Sequence, residues 1–224
     1  MNWVSRVSQT SATREGRRHL HQLRTEPYRQ HQALWRLFVR PEGESQPFLF
    51  RKVLDDAGDA LRFLLVSRER PGEKEGWRVE SKPYQPLLNV DRRYHFSTRL
   101  NPTRTEKTDD GRGKRQDYVI SRLHQLDARK DARPTVRRRI VEEELPKWLG
   151  ERAVRHGFVV EHCAVERYEY VTTHGKGRAM TFSMADFAGV LRVTDPGPFE
   201  RVLLAGLGHA KAFGCGLLLL KRLS

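Results

Sequence analysis

Between Arg92 and Leu100 apolar and polar residues alternate without a break. Tyr94, Phe96, Thr98 and Leu100 fall on one side of an extended chain; Arg93, His95, Ser97 and Arg99 fall on the other. Such a segment is a strand with one face on a core and one face in water, which commits the chain to a sheet covered on one side. Trp3–Ser8, Phe48–Leu54 and Leu61–Ser67 read as further strands, the last two joined by the turn-rich Asp55-Asp56-Ala57-Gly58-Asp59. A helix is expected over Tyr28–Phe38, with Thr25 as N-cap, Pro27 in the first turn, and Leu34, Leu37 and Phe38 on one face. The resulting strand–helix–strand–strand–strand series, residues 1–105, is an α+β unit with one sheet and helices on one face. A second helix would have to lie among residues 70–90. Pro71, Gly72, Gly76, Pro83 and Pro86 argue that it is short or missing.

Residues 106–139 are charge-rich, carry Asp109-Asp110-Gly111 and Gly113 as turn signals, and read as a loop and linker. From residue 140 to 224 the pattern starts again. Ile140–Arg155 is a helix candidate despite Pro146, and Phe158–Val171 a strand. Arg178–Met184 and Phe187–Val193 read as two strands turning at Ala185-Asp186. Phe199, Val202 and Leu203 mark a short helix face, and Leu217–Leu220 a terminal strand. Two α+β units facing each other would leave a basic cleft between them.

Charge narrows the function. The 42 Lys and Arg outnumber the 28 Asp and Glu, a formal charge of +14, while 38% of residues are apolar. The charge therefore belongs to a folded chain and not to a disordered basic tail. It is also spread along the sequence instead of sitting on one amphipathic helix, which favours nucleic acid over a membrane surface. Two cysteines, Cys163 and Cys215, make no disulfide framework, and no apolar run approaches a membrane span. Met1-Asn2-Trp3-Val4-Ser5-Arg6 lacks the apolar core of a signal peptide, so a cytoplasmic location is expected.

No metal or other cofactor is expected. The cysteines form no C-x-x-C pair, the nine His show no H-E-x-x-H spacing, and Glu142-Glu143-Glu144 reads as a solvated helix face. His19 and His21 stand two apart, a spacing read as part of a strand and not as a metal site. Metal-free RNA cleavage needs a base for the ribose 2′-OH, an acid for the leaving 5′-oxygen, and cations for the phosphorane. Tyr28 and His31 stand three apart on one helix face, at the edge of the apolar stripe; a packed aromatic pair would read the same way. Gly206, Gly208, Gly214 and Gly216 fall within eleven residues around His209 and Lys211. Glycines let backbone approach a ligand, and Lys211 suits phosphate, though a tight connection would use the same residues. The segment is neither a dinucleotide fingerprint nor a Walker loop, because it follows a helix and lacks Gly-Lys-Ser/Thr.

Three stretches resemble a known family. Arg17-Arg18-His19-Leu20 followed by Tyr28-Arg29-Gln30-His31-Gln32-Ala33-Leu34 resembles R-R-x-L … Y-x-x-H-x-x-L; Arg99-Leu100-Asn101-Pro102 resembles an R-x-N-P strand end; the glycine segment resembles G-x-G-x-x-K-x-x-G-x-G-L-L. All are similar to the CRISPR-associated endoribonucleases of the CasE type, which process precursor CRISPR RNA and hold its hairpin within the Cascade complex. The resemblance implies tandem ferredoxin-like (RRM-like) domains, metal-independent cleavage, and catalytic roles for Tyr28 and His31. Its implied partners are the CRISPR repeat hairpin or guide RNA and other Cascade subunits, with no membrane. Where the family pattern has Pro, this chain has His209, a second titratable group in the glycine loop. The expected RNA contacts are Arg17, Arg18, Arg36, Arg99, Arg104, Lys176, Arg178, Gly206, Gly208, His209, Lys211 and Gly214. Arg36 is placed there because helical spacing turns it about 140° from His31. A non-catalytic RNA-binding subunit of the same fold and a ribosome-associated basic protein are the competing readings. The Arg129–Arg139 run has no role in any of them.

Overall fold

The computed structural model describes residues 1–10, 14–39, 46–53, 60–107, 113–126, 129, 132–175 and 178–223. The backbone packs as two compact units: residues 1–87, 172–180 and 200–217 form the first, and 88–171, 181–199 and 218–224 the second. This differs from the contiguous division expected at 1–105, 106–139 and 140–224.

In unit 1, β1 (Trp3–Thr10) leads into α1 (Arg14–Thr25) and α2 (Pro27–Trp35), followed by β2 (Phe48–Val53), β3 (Ala60–Ser67) and β4 (Trp77–Pro83). The strands form one antiparallel sheet in the order β2-β3-β1-β4. No helix links β3 to β4, as the prolines and glycines there implied. The fourth strand is β4 and not Arg92–Leu100. Its own alternation, Trp77, Val79 and Ser81 against Arg78, Glu80 and Lys82, covers a half-buried edge. Helix α1 was not foreseen: Leu20 and Leu23, three apart, are both buried, so His19 and His21 lie on a helix and not on a strand. Thr25 ends α1, its hydroxyl donating back to the carbonyls of His21 and Gln22, and the N-cap of α2 is Glu26, with Pro27 at the first helical position. Leu34 from α2 joins Leu20 and Leu23 over Phe48, Phe50 and Phe63 of the sheet.

Unit 2 begins at β5 (Arg93–Leu100) and continues through the hairpin β6 (Thr103–Lys107) and β7 (Gly113–Asp117), α3 (Tyr118–Gln125), α4 (Arg133–Arg139) and α5 (Leu145–Val154). Then come β8 (Phe158–Gly175), β9 (Arg178–Val193), α6 (Pro196–Ala205) and β10 (Leu218–Arg222). The sheet order is β10-β5-β9-β8. The alternation of β5 was legible: Tyr94, Phe96, Thr98 and Leu100 are buried. Its partners, β9 and β10, come from the far end of the chain. Strand β9 is continuous, with no turn at Ala185-Asp186; these residues sit in register with Leu100 and Arg99. The described residues of 106–139 are part of unit 2 and not a linker. They supply part of β6, all of β7, α3 and α4, and the Asp117 carboxylate caps α3 by accepting the Ile120 N–H at 2.8 Å. Pro146 is tolerated because Ile140–Glu144 form one wide turn, in which the Leu145 N–H reaches the Ile140 carbonyl. Among the described residues no helix is long and apolar enough to cross a membrane.

Candidate catalytic helix and glycine loop

Both candidate catalytic residues stand on α2. The helix is held down by Leu34 in the core and by buried Gln30, whose amide donates to the Leu23 carbonyl of α1 at 2.7 Å. Tyr28 is half-buried in the first turn, and its backbone N–H donates to Thr173 Oγ1. His31 follows one turn later, its ring centre 6.5 Å from that of Tyr28, 5.6 Å from Trp35 and 5.8 Å from Phe48. Sequence reasoning missed this box. The spacing of Trp35, four after His31, was the available signal; Phe48 and Gln46 arrive from a different part of the chain.

The box sets the proton chemistry. Burial among rings lowers the His31 pKa from its ordinary 6.5, and a hydrogen bond with the Gln46 side chain offsets this only in part. The Gln46 amide nitrogen donates to the Phe48 carbonyl at 2.5 Å, which leaves its oxygen to accept from the imidazole. His31 Nε2 is buried and has no hydrogen-bond partner among the described residues. A neutral ring with its proton on Nδ1 keeps the Nε2 lone pair, the form a general base needs.

The glycine loop belongs to the same unit. A short helical turn, Lys211–Phe213, packs against α2 and β2. Gly206 has φ +79°, and a Cβ there would lie 2.7 Å from Leu49 Cδ2; Gly214, at φ +81°, sits against the Phe50 ring. Glycine lets this loop lie flat on β2. Gly208, also at positive φ, faces open space, and His209 beside it is exposed. Lys211 donates through Nζ to the carbonyl of Ala205, the last residue of α6, at 2.7 Å, and burial pulls its pKa down.

The remaining expected contacts are scattered. Arg36 is exposed at the C-cap of α2. Arg17 and Arg18 lie on α1, and Arg178 opens β9, but their side chains, like all of Lys176, fall outside the described residues. Arg104 is on β6, bonded to Gln125 at 3.0 Å and facing Glu106. Arg99 departs from expectation. Its Nε and Nη2 each lie 2.7 Å from a carboxylate oxygen of Asp186, with side chains 14% and 10% exposed, so the guanidinium neutralises a buried acid between β5 and β9. Among the described residues no three His, Cys, Asp or Glu side chains are grouped to hold a metal ion.

Two antiparallel four-stranded sheets, each in the strand order of the split βαβ fold, make this a tandem ferredoxin-like protein. The chain belongs to the family described as CRISPR associated protein, whose model matches residues 2–222. It is 27% identical over 194 residues to the CRISPR system Cascade subunit CasE of Escherichia coli K12, covering 85% of this chain and 89% of that protein. Its fold is similar to that of Thermus thermophilus Cse3 bound to an RNA representing a pre-cleavage complex, with a TM-score of 0.71, 23% identity and 99% of each chain covered. It is also similar to the CRISPR-associated protein Cas6e from Escherichia coli K-12, with a TM-score of 0.61, 24% identity, and 99% of this chain and all of that one covered. The resemblance read from the motifs thus holds for the family.

Proposed function

We propose that this protein is an endoribonuclease that binds the hairpin of a CRISPR repeat and cleaves precursor CRISPR RNA without a metal ion. The observation that carries this reading is His31: an imidazole whose burial favours the neutral form, its Nε2 without a hydrogen-bond partner among the described residues, one helical turn from a tyrosine. His31 takes the proton of the ribose 2′-OH; the 2′-oxygen then attacks the adjacent phosphorus, and the 5′-oxygen leaves with a proton. Tyr28 positions the 2′-OH or serves as proton partner. Backbone N–H groups around Gly208, with Lys211 of the loop, face the phosphate charge. The products are a 2′,3′-cyclic phosphate and a 5′-OH. The names of the relatives, a Cascade subunit and an RNA-bound Cse3, support RNA as substrate and Cascade as the assembly. The stem contacts that bind substrate also bind product, so release is slow and the protein stays on its guide RNA.

Cleavage assayed in EDTA, with substrates carrying ribose or deoxyribose immediately 5′ of the scissile phosphate, tests the chemistry. The ribose substrate should be cut at full rate in EDTA and the deoxy substrate bound but uncut. A cut deoxy substrate would make water the nucleophile and sink the assignment. One observation favours a second reading: Nε2 is buried. A non-catalytic RNA-binding subunit would bind the hairpin tightly and cut neither substrate.

A further inference from the structure

From the Arg129–Arg139 run, which no part of the proposed function uses, Arg133, Arg137 and Arg138 line one wall of a groove in unit 2. The groove, about 790 Å³, lies among α3, α4 and β8. Its floor is apolar, made by Ile120, Leu123, Val141 and Val165, and Ile120 is left 38% exposed. On the wall the Arg137 guanidinium carbon sits 5.4 Å from the ring centre of Tyr168 and 5.2 Å from that of Tyr170. The tyrosines are fixed: their hydroxyls lie 2.9 Å apart, and both donate to Asp117 Oδ1, at 3.0 and 3.3 Å. Asp117 is itself fixed as the cap of α3. The Arg–Tyr stack is therefore preformed, and a ligand that uses it has little side-chain entropy to remove.

Around the stack the charge balance is cationic: Arg133, Arg137, Arg138 and Arg167 against Glu142 and Glu166. Arg138 pairs with Glu142 at 2.8 Å, yet its side chain is 78% exposed, so that pairing exchanges readily with a phosphate. Planar guanidinium and phenol faces beside exposed arginines, over an apolar floor, match what single-stranded nucleic acid requires: faces for bases and cations for the backbone. An acidic peptide would satisfy the charges and the floor but has no need of the stack. We propose that this groove seats a single-stranded stretch of RNA, a base lying on the Arg137–Tyr170 stack and its phosphates against the arginines of α4. The inference rests on the RNA-processing reading, since precursor RNA runs on as single strand beyond its hairpin.

The test compares the affinity of the full chain for a repeat hairpin alone and for the same hairpin carrying a short single-stranded tract on its 5′ side, on its 3′ side, or an abasic tract of equal charge. One flank should tighten binding about tenfold, the abasic flank should lose most of that gain, and Arg137→Ala and Tyr170→Leu should each abolish it. Hairpin-only affinity and cleavage should stay unchanged in both variants, which separates failure of this site from failure of the RNA-processing reading. If neither flank changes the affinity of the unaltered protein, the groove does not bind RNA. If the abasic flank binds as well as the natural one, the stack is not a base platform. Unchanged flank binding combined with Arg137→Ala weakening association with a neighbouring protein subunit would assign the groove to a protein and overturn the proposal.

Discussion

The backbone N–H of Tyr28 donates to Oγ1 of Thr173, 145 residues further along the chain, at 3.3 Å. Helix α2 has no side-chain cap of its own, and Thr173, fully buried, supplies one from the far end of β8. Its hydroxyl proton is directed to Glu26 Oε2, 3.4 Å away. The same stretch, residues 172–180, contains the expected RNA contacts Lys176 and Arg178. Thr173 is thus a positioning residue for the turn that carries Tyr28 and His31. Thr173→Val should destabilise the protein by about 1 kcal/mol, the ordinary worth of a cap. It should also lower the single-turnover cleavage rate several-fold while leaving hairpin affinity nearly intact, and Thr173→Ser should restore both. A fall in melting temperature with an unchanged cleavage rate would reduce the residue to a structural one.

His31→Ala should lower cleavage about 10²–10⁴-fold, the usual effect of losing one acid–base participant. Tyr28→Phe should have a smaller effect, because the ring packing against His31 survives. Filter binding and single-turnover kinetics on the same RNA separate rate from affinity. His209→Ala is the control: it stands exposed in the loop, and damage equal to that of His31→Ala would make the two histidines share the proton work.

The pH dependence follows from the direction of the His31 shift. Burial places its pKa below 6.5 in the folded protein, so the base is unprotonated throughout the neutral range, and cleavage should fall only as pH drops through that lowered value. Stability moves the same way. Below 6.5 the unfolded chain binds a proton that the folded one refuses, so this contribution is complete above 6.5 and is lost as pH falls toward the folded pKa. Gln46→Leu removes the one interaction that raises the pKa, and should carry the acid limb of the rate profile further down. Profiles of the two proteins measured at saturating enzyme decide this; coincident acid limbs would detach Gln46 from the base.

The strands of this fold were legible because alternation is local, and their grouping was not, because pairing is decided between segments far apart. Tyr94, Phe96, Thr98 and Leu100 alternate as expected, yet nothing in those residues says that their neighbours are Leu218–Arg222 and the strand containing Asp186. For the same reason unit 2 starts near residue 88 and not at 140. Ala185-Asp186 reads as a turn because an acid within a buried strand is costly; Arg99 removes that cost from the neighbouring strand. At the candidate site, Tyr28 and His31 could be found from their helical spacing and from a family pattern. The Phe48, Gln46 and Thr173 that surround them carry no such signature, since each acts by arriving from another element.

The glycine loop separates packing from ligand approach at two nearby positions. Gly206→Ala would put a methyl group 2.7 Å from Leu49 Cδ2 at φ +79°, whereas Gly208→Ala, at φ +75°, meets nothing within 4 Å. Both pay the backbone penalty of about 1 kcal/mol, and only Gly206→Ala adds a steric one. Chemical denaturation should therefore rank Gly206→Ala as the less stable protein. Gly208→Ala should instead weaken hairpin binding, since its methyl occupies space left open for the ligand. A Gly208→Ala protein with unaltered affinity would show that the loop is only a connection.

Arg99 gives the sharpest contrast between charge as a surface property and charge as a structural one. Its guanidinium and the Asp186 carboxylate are largely buried and bonded through two parallel contacts of 2.7 Å. Removing one partner of such a pair strands the other, at a cost of about 3–5 kcal/mol. Arg99→Ala should therefore unfold at much lower denaturant concentration, and Arg99→Lys should recover only part of the loss, because an ammonium cannot reproduce the planar fork. Arg99→Met paired with Asp186→Leu should recover more, since both charges leave together. A residue holding RNA would behave differently: its loss would flatten the dependence of affinity on salt by about one phosphate contact and leave denaturation nearly unmoved. Measuring both quantities on Arg99→Ala and Arg36→Ala should show the two behaviours apart, the structural one at Arg99 and the phosphate-contact one at the exposed Arg36. If Arg99→Ala changed the salt slope while keeping its denaturation midpoint, the pair with Asp186 would be incidental and Arg99 would return to the RNA-binding surface.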